Sequence, residues 1–190
     1  MTLTFLKNLS RFQIFFYAMG FAATQPILHL YFIRRVPDKI YILSLMLTSA
    51  ILFLWNTVLS NQNIRLKFHH IYLIVFVADV LLYLLMCIFA SLDINTIALY
   101  LGLTLTQVST GVVAYLLLRD MWNLRISGFN LTSYDATIAA ANSIGSLSGT
   151  ALGFLTVDYL DIHGALAAQL GICAVCTIVE TFLYLNLRQK

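Results

Sequence analysis

Six apolar blocks dominate this chain and leave little room for anything else. They fall near residues 12–33, 40–60, 70–92, 96–118, 133–156 and 163–187. Each has about the 20 residues that carry a helix across a bilayer core of about 30 Å. Lipid cannot satisfy free backbone N–H and C=O groups, so such blocks are expected to be helical. Of 190 residues, 10% are charged and 61% hydrophobic, against roughly 25% charged in a soluble domain. Two prolines fit long, uninterrupted helices. The reading is an all-α integral membrane protein, a single domain over residues 1–190 with six transmembrane helices. The first block is too long for a signal peptide, lacks a small-residue cleavage site, and is followed by five others. The longest connections, 61–69 and 119–132, are too short to hold a further domain.

Positive residues set the orientation. Lys7, Arg11, Arg65, Lys67, Arg119, Arg125, Arg188 and Lys190 fall on one side, and Arg34, Arg35 and Lys39 on the other. Eight against three predicts both termini in the cytoplasm and a multi-pass protein of the cell membrane. The outer loops at Asp93 and Asp158–Asp161 carry only acidic charge. The net charge of +3 reflects this bias. Without a basic patch interleaved with aromatics, no nucleic-acid partner is expected. The sequons at Asn8 and Asn130 fall on the cytoplasmic side, so glycosylation is not expected.

Four helices carry polar groups that lipid would leave unpaired. In the first, Gln25 and His29 are four apart and share a face that Ala18 and Ala22 extend. Pro26 removes a backbone hydrogen bond beside them. Such a helix suits a cavity lining, or its two polar groups bond to neighbouring helices. In the fourth, Tyr100, Thr104, Gln107, Gly111 and Tyr115 follow one helical face. That face meets a cavity or other helices. In the third, Asp79 lies near the centre, where it costs about 2.5–3.5 kcal/mol to insert. It is either a proton-carrying site or a neutral Asp bonded to a neighbour. Glu180, two turns from the cytoplasmic end of the last helix, reads as structural, snorkelling or approaching Arg119 or Arg125.

Catalytic and metal signatures are weak. Six helices also suit an intramembrane serine protease of the rhomboid kind, which needs Gly-x-Ser-Gly and a histidine inside a later helix. Here the segment is Ser146-Leu147-Ser148-Gly149, and His163 sits at the edge of the sixth helix, so no enzyme is expected. Cys173 and Cys176 have redox spacing but sit in an apolar helix, where a reactive thiolate lacks polar surroundings. They read as small packing residues. His69 and His70 are adjacent, share no helix face and read as loop residues. No zinc, phosphate or nucleotide motif appears, so neither metal nor cofactor is expected.

The second half carries a family likeness. Arg125 leads into "ISGFNLTSYDATIAAANSIGSLSGTALGFLTVDYLDIHGALAAQLGI". Its basic loop, spaced glycines, Gly-x-Leu-x-x-Asp stretch and short outer turn resemble the last two helices of major facilitator superfamily transporters. Gly149, Gly153, Leu155, Asp158 and Gly164 carry the match. The likeness extends to the lengths and order of the first four helices, as one six-helix half of a twelve-helix protein, closer to the C-terminal half. The family's Gly-x-x-x-Asp-Arg-x-Gly-Arg-Lys loop is degraded here to "SNQNIRLKFHH". Arg65 stands for the Arg, while Ile64 replaces the Asp and Lys67 the second Gly.

The resemblance implies parallel halves related by an axis along the membrane normal, so a homodimer or a second, different half would complete the unit. It implies that the first and fourth helices line a cavity, that the second and fifth meet the other half, and that the third and sixth lie outside. A small-molecule solute site is then expected at Tyr17, Gln25, His29, Tyr100, Thr104, Gln107, Tyr115 and Asn142. His29 is the expected titrating group, and Asp79 falls on an outer helix. Gly145, Gly149 and Gly153, four apart, allow close backbone approach. Alone they say only that two helices touch. On a fifth helix they are expected to form the seam between halves. The function expected is a half-size secondary transporter of a neutral or weakly charged organic solute. The alternative is a non-transporting accessory, regulatory or immunity-type subunit, or half of a split transporter.

Overall fold

The computed structural model describes residues 3–35, 37–60, 72–92 and 131–188. Every regular element among them is an α-helix: α1 (Leu3–Arg35), α2 (Asp38–Ser60), α3 (Tyr72–Ser91), α4 (Leu131–Thr156) and α5 (Ile162–Arg188). The expected helix over 96–118 lies outside the described residues, as do the loop motif around Arg65 and the histidines at 69 and 70. Among the described residues, two spans are long and apolar enough to cross a membrane, Ser133–Thr156 and Ile162–Asn186.

Local chemistry sets several boundaries. Pro37 cannot extend α1, and its carbonyl accepts from the Ile40 and Tyr41 N–H groups as α2 begins, at 2.9 and 3.1 Å. The Thr156 carbonyl closes α4 by accepting from Tyr159 and Leu160, both at 2.9 Å. Asp161 then caps α5, its Oδ1 accepting from the Gly164 N–H at 2.8 Å. This is the N-cap arrangement that satisfies an orphan donor of the first turn.

The chain divides into two compact units, Met1–Leu28 with Trp122–Lys190, and His29–Met121. The physical reason for the first unit is a backbone-to-backbone contact between α1 and α4. A Cβ on Gly149 would fall on the Met19 carbonyl, one on Gly145 on the Phe15 carbonyl, and one on Gly153 would lie 2.5 Å from the Ala23 oxygen. Both partners of each pair advance by four residues, so α1 and α4 run parallel. Contacts on another face of α1 run the opposite way: Cys176 Sγ reaches the Gln13 carbonyl at 4.0 Å, and Gly20 meets Gln169 and Ile172. Helix α5 is therefore antiparallel to α1. Lys7, Arg11 and Arg188 fall at one end of this unit, and Asp158 and Asp161 at the other.

The first unit buries Leu6, Leu28, Ile138 and Leu166 together with several polar groups, and exposes many large apolar side chains. Ser10, Gln13, Gln169 and Glu180 are buried, while Ile144, Leu147, Phe154, Leu155, Val175, Ile178 and Leu185 are exposed. In the second unit, α3 buries Asp79, Tyr83, Met86 and Ala90. Their spacing of four, three and four residues is one helical face.

Candidate functional site

Helix α1 presents three surfaces. Phe15, Met19 and Ala23 meet α4; Gln13 and Gly20 meet α5. At 100° per residue, Phe21 and Gln25 fall on an arc between those faces. Both are half-buried. Tyr17 joins the arc by stacking on Phe21, with centroids 6.5 Å apart and planes 9° from parallel. Pro26 follows Gln25 directly. In the same stretch Thr24 turns its hydroxyl back to the Phe21 carbonyl at 2.9 Å, a bond that tends to bend a helix.

His29 belongs to the second unit and has a defined partner there. Its Nδ1 lies 2.6 Å from the Tyr41 hydroxyl. The rings meet edge to face, 6.0 Å between centroids at 79°. The phenol thus occupies one ring nitrogen and fixes the plane of the imidazole, which leaves Nε2 for another partner. Nearby, Arg35 donates to the Tyr31 hydroxyl at 2.7 Å and lies 4.3 Å over its ring. Sequence spacing pairs Gln25 with His29; nothing in it points to Tyr41, because that contact depends on how α2 folds back from Pro37.

The remaining expected site residues separate. Asn142 is exposed on α4. Tyr100, Thr104, Gln107 and Tyr115 lie outside the described residues. Asp79 is 1% exposed, on the buried face of α3 with Tyr83. The glycines differ most from expectation. The stripe of Gly145, Gly149 and Gly153 is filled by α1 of the same chain and so leaves no room for a second unit at that face. A GxxxG stripe specifies close approach, not which helix approaches. Ser148 lies about 12 Å along α4 from the helix end, while His163 is exposed beyond the turn.

Sequence reading missed a polar seam inside the first unit. Ser10 Oγ and Tyr134 OH are hydrogen-bonded at 2.8 Å, buried and 124 positions apart. Gln13, 4% exposed, faces α5 near Cys176. Gln169, fully buried, donates from Nε2 to Cys173 Sγ at 3.6 Å. Glu180, 1% exposed, is one turn beyond Cys176. The two thiols are buried packing groups of this seam. The spacing of Gln169, Cys173, Cys176 and Glu180 marks one face of a helix, a signal present in the sequence but unread.

Among the described residues the structure is all-helical, with two helices long and apolar enough to cross a membrane. Comparison of the chain with protein families, curated proteins and solved structures gives no match.

Proposed function

We propose that this chain is a six-helix membrane protein of the cell membrane, with both termini cytoplasmic, working as a half-size secondary transporter of the major-facilitator type. The observation that carries the membrane reading is the apolar surface of the first unit, where leucines, isoleucines and phenylalanine are exposed while two glutamines and a glutamate lie among the buried residues. Water would penalise that large apolar surface, whereas lipid tolerates it and drives polar groups inward. The basic end shared by Lys7, Arg11 and Arg188 matches the cytoplasmic side.

The arc of Tyr17, Phe21 and Gln25 in the first unit supports the transport reading, with two aromatic faces and an amide next to Pro26. In the second unit His29, its imidazole held by Tyr41, supplies a further polar group. That lining suits a neutral or weakly charged organic solute, sugar-like or drug-like. Gln107, Thr104, Tyr100 and Tyr115 would complete the site from the helix over 96–118, and Asn142 from α4. Two copies, or this chain with a different half, would alternate access. The contact between them falls on the exposed face of α4, around Ala139, Asn142 and Ser143, since the glycine stripe is already used.

The test is flux of candidate solutes into liposomes by the purified chain. Gln25→Ala and His29→Ala should each lower flux at least tenfold at unchanged membrane expression. Undiminished flux in both would sink this site. A second reading, a non-transporting accessory or regulatory subunit, is favoured by the filled glycine stripe, which removes the expected seam between halves. A monomer without flux for any solute would select it.

A further inference from the structure

The turn that joins α1 to α2 is basic and exposed. Arg34 and Arg35 stand in the last turn of α1. Lys39 stands in the first turn of α2, after Asp38. All four are exposed. Arg35 donates to the Tyr31 hydroxyl at 2.7 Å and lies 4.3 Å over its ring, which fixes its guanidinium beside the turn. Among the described residues, Arg34 and Lys39 have no hydrogen-bond or ion-pair partner. The helix dipole accounts for part of this pattern. Cations are favourable at the C-terminus of α1, and Asp38 is favourable at the N-terminus of α2. Lys39 is not. It adds positive charge to the positive end of α2, close to two arginines. Three cations against one carboxylate leave the turn net positive, and like charges this close repel unless an anion lies among them.

Beyond Lys39 one face of α2 is apolar and open. At 100° per residue, Ile42, Leu43, Met46, Phe53 and Leu54 all fall within about 60° of Lys39 around the helix. Each is more than half exposed, from Ile42 at 55% to Phe53 at 71%. From Ile42 to Leu54 the stripe runs about 18 Å, close to half of a bilayer core of about 30 Å. Cations at the head of an apolar stripe one leaflet deep complement a phospholipid, phosphate against the charges and acyl chains against the stripe. We propose that the α1–α2 turn binds one anionic phospholipid, its phosphate among Arg34, Arg35 and Lys39 and its acyl chains along this face of α2. A soluble anion would match the cations but not the stripe. A zwitterionic lipid would match the stripe but bring no net negative charge. These three cations are also the ones that the sequence sets apart from its eight other Lys and Arg residues, against the bias that keeps positive charge cytoplasmic; a bound anion offsets them. The inference rests on the membrane location proposed for the chain and not on transport.

The experiment titrates the purified full chain in neutral detergent with phosphatidylglycerol, or with phosphatidylcholine of the same acyl chains, and counts retained lipids by native mass spectrometry. One phosphatidylglycerol should be retained, at a half-saturating concentration about tenfold or more below that of phosphatidylcholine. Arg34→Gln and Lys39→Gln should each raise that concentration about fivefold, the effect of one basic residue near an anionic surface. Their melting temperatures should match the wild type, because both side chains are exposed. Arg188→Gln, which removes a charge from the first unit instead, should leave lipid retention unchanged. Glycerol phosphate, the soluble headgroup, should not displace the lipid at equal concentration. Equal retention of the two lipids overturns the proposal, as does a preference that survives Arg34→Gln and Lys39→Gln combined. Displacement by glycerol phosphate also overturns it and makes the turn a site for free anions. Flotation with pure phosphatidylcholine vesicles tests the membrane location separately. A chain that enters those vesicles yet shows no preference for phosphatidylglycerol overturns the lipid site alone; one that fails to enter them overturns both.

Discussion

At the scale of the residue, two side-chain environments have direct consequences. A Cβ at Gly149 would meet backbone atoms of Met19, which cannot rotate away, while a Cβ at Gly171 would meet nothing within 4 Å. Gly149→Ala should therefore destabilise the chain by about 1–3 kcal/mol, the usual cost of overpacking. Gly171→Ala should be neutral or slightly stabilising through helix propensity. Denaturant unfolding in detergent micelles compares the two, and equal effects would contradict the tight α1–α4 contact. Tyr41→Phe keeps the ring but removes the hydroxyl that meets His29 Nδ1. A loss of about 1 kcal/mol is expected, together with a changed imidazole nitrogen resonance by NMR. An unchanged resonance would show that the phenol does not hold the ring.

At the scale of the element, the α4–α5 hairpin rests on one cap. Asp161→Ala removes the acceptor for the Gly164 N–H and should cost about 1 kcal/mol, whereas Asp161→Asn should retain most of it. Amide exchange at Gly164 reports the difference. Pairing of elements was the least legible level. The apolar blocks locate α1 to α5 because a bilayer-length run is a local signal. The register of α1 against α4 is not local: Ser10 and Tyr134 are 124 positions apart. The glycine stripe announces a close neighbour, and α1 offers Met19 and Ala23 as plainly as any second chain could. Glu180 shows the same limit. Its place near a helix end suggests snorkelling, yet the antiparallel register with α1 buries it.

At the scale of the whole molecule, orientation is the property to measure. The first unit sets Lys7, Arg11 and Arg188 at one end and the acidic α4–α5 turn at the other, and positive residues favour the cytoplasmic side. Cysteines introduced at Asn8 and Gln189, in a background lacking Cys87, Cys173 and Cys176, should react with an impermeant thiol reagent only after the membrane is opened. One at Tyr159 should react in intact cells. Labelling of Tyr159→Cys only in opened cells would invert the topology, and labelling of both ends from one side would contradict the unit itself.

Hydropathy alone determined that the chain forms long helices, and charge alone determined a basic and an acidic end, because both are carried by neighbouring residues whatever the fold. Tertiary structure decided the rest. It chose α1 as the partner of the glycine stripe, set Tyr41 against His29, and bonded Ser10 to Tyr134 inside the first unit. Those outcomes depend on which helix faces meet. A face has a period in the sequence but no address until the backbones approach.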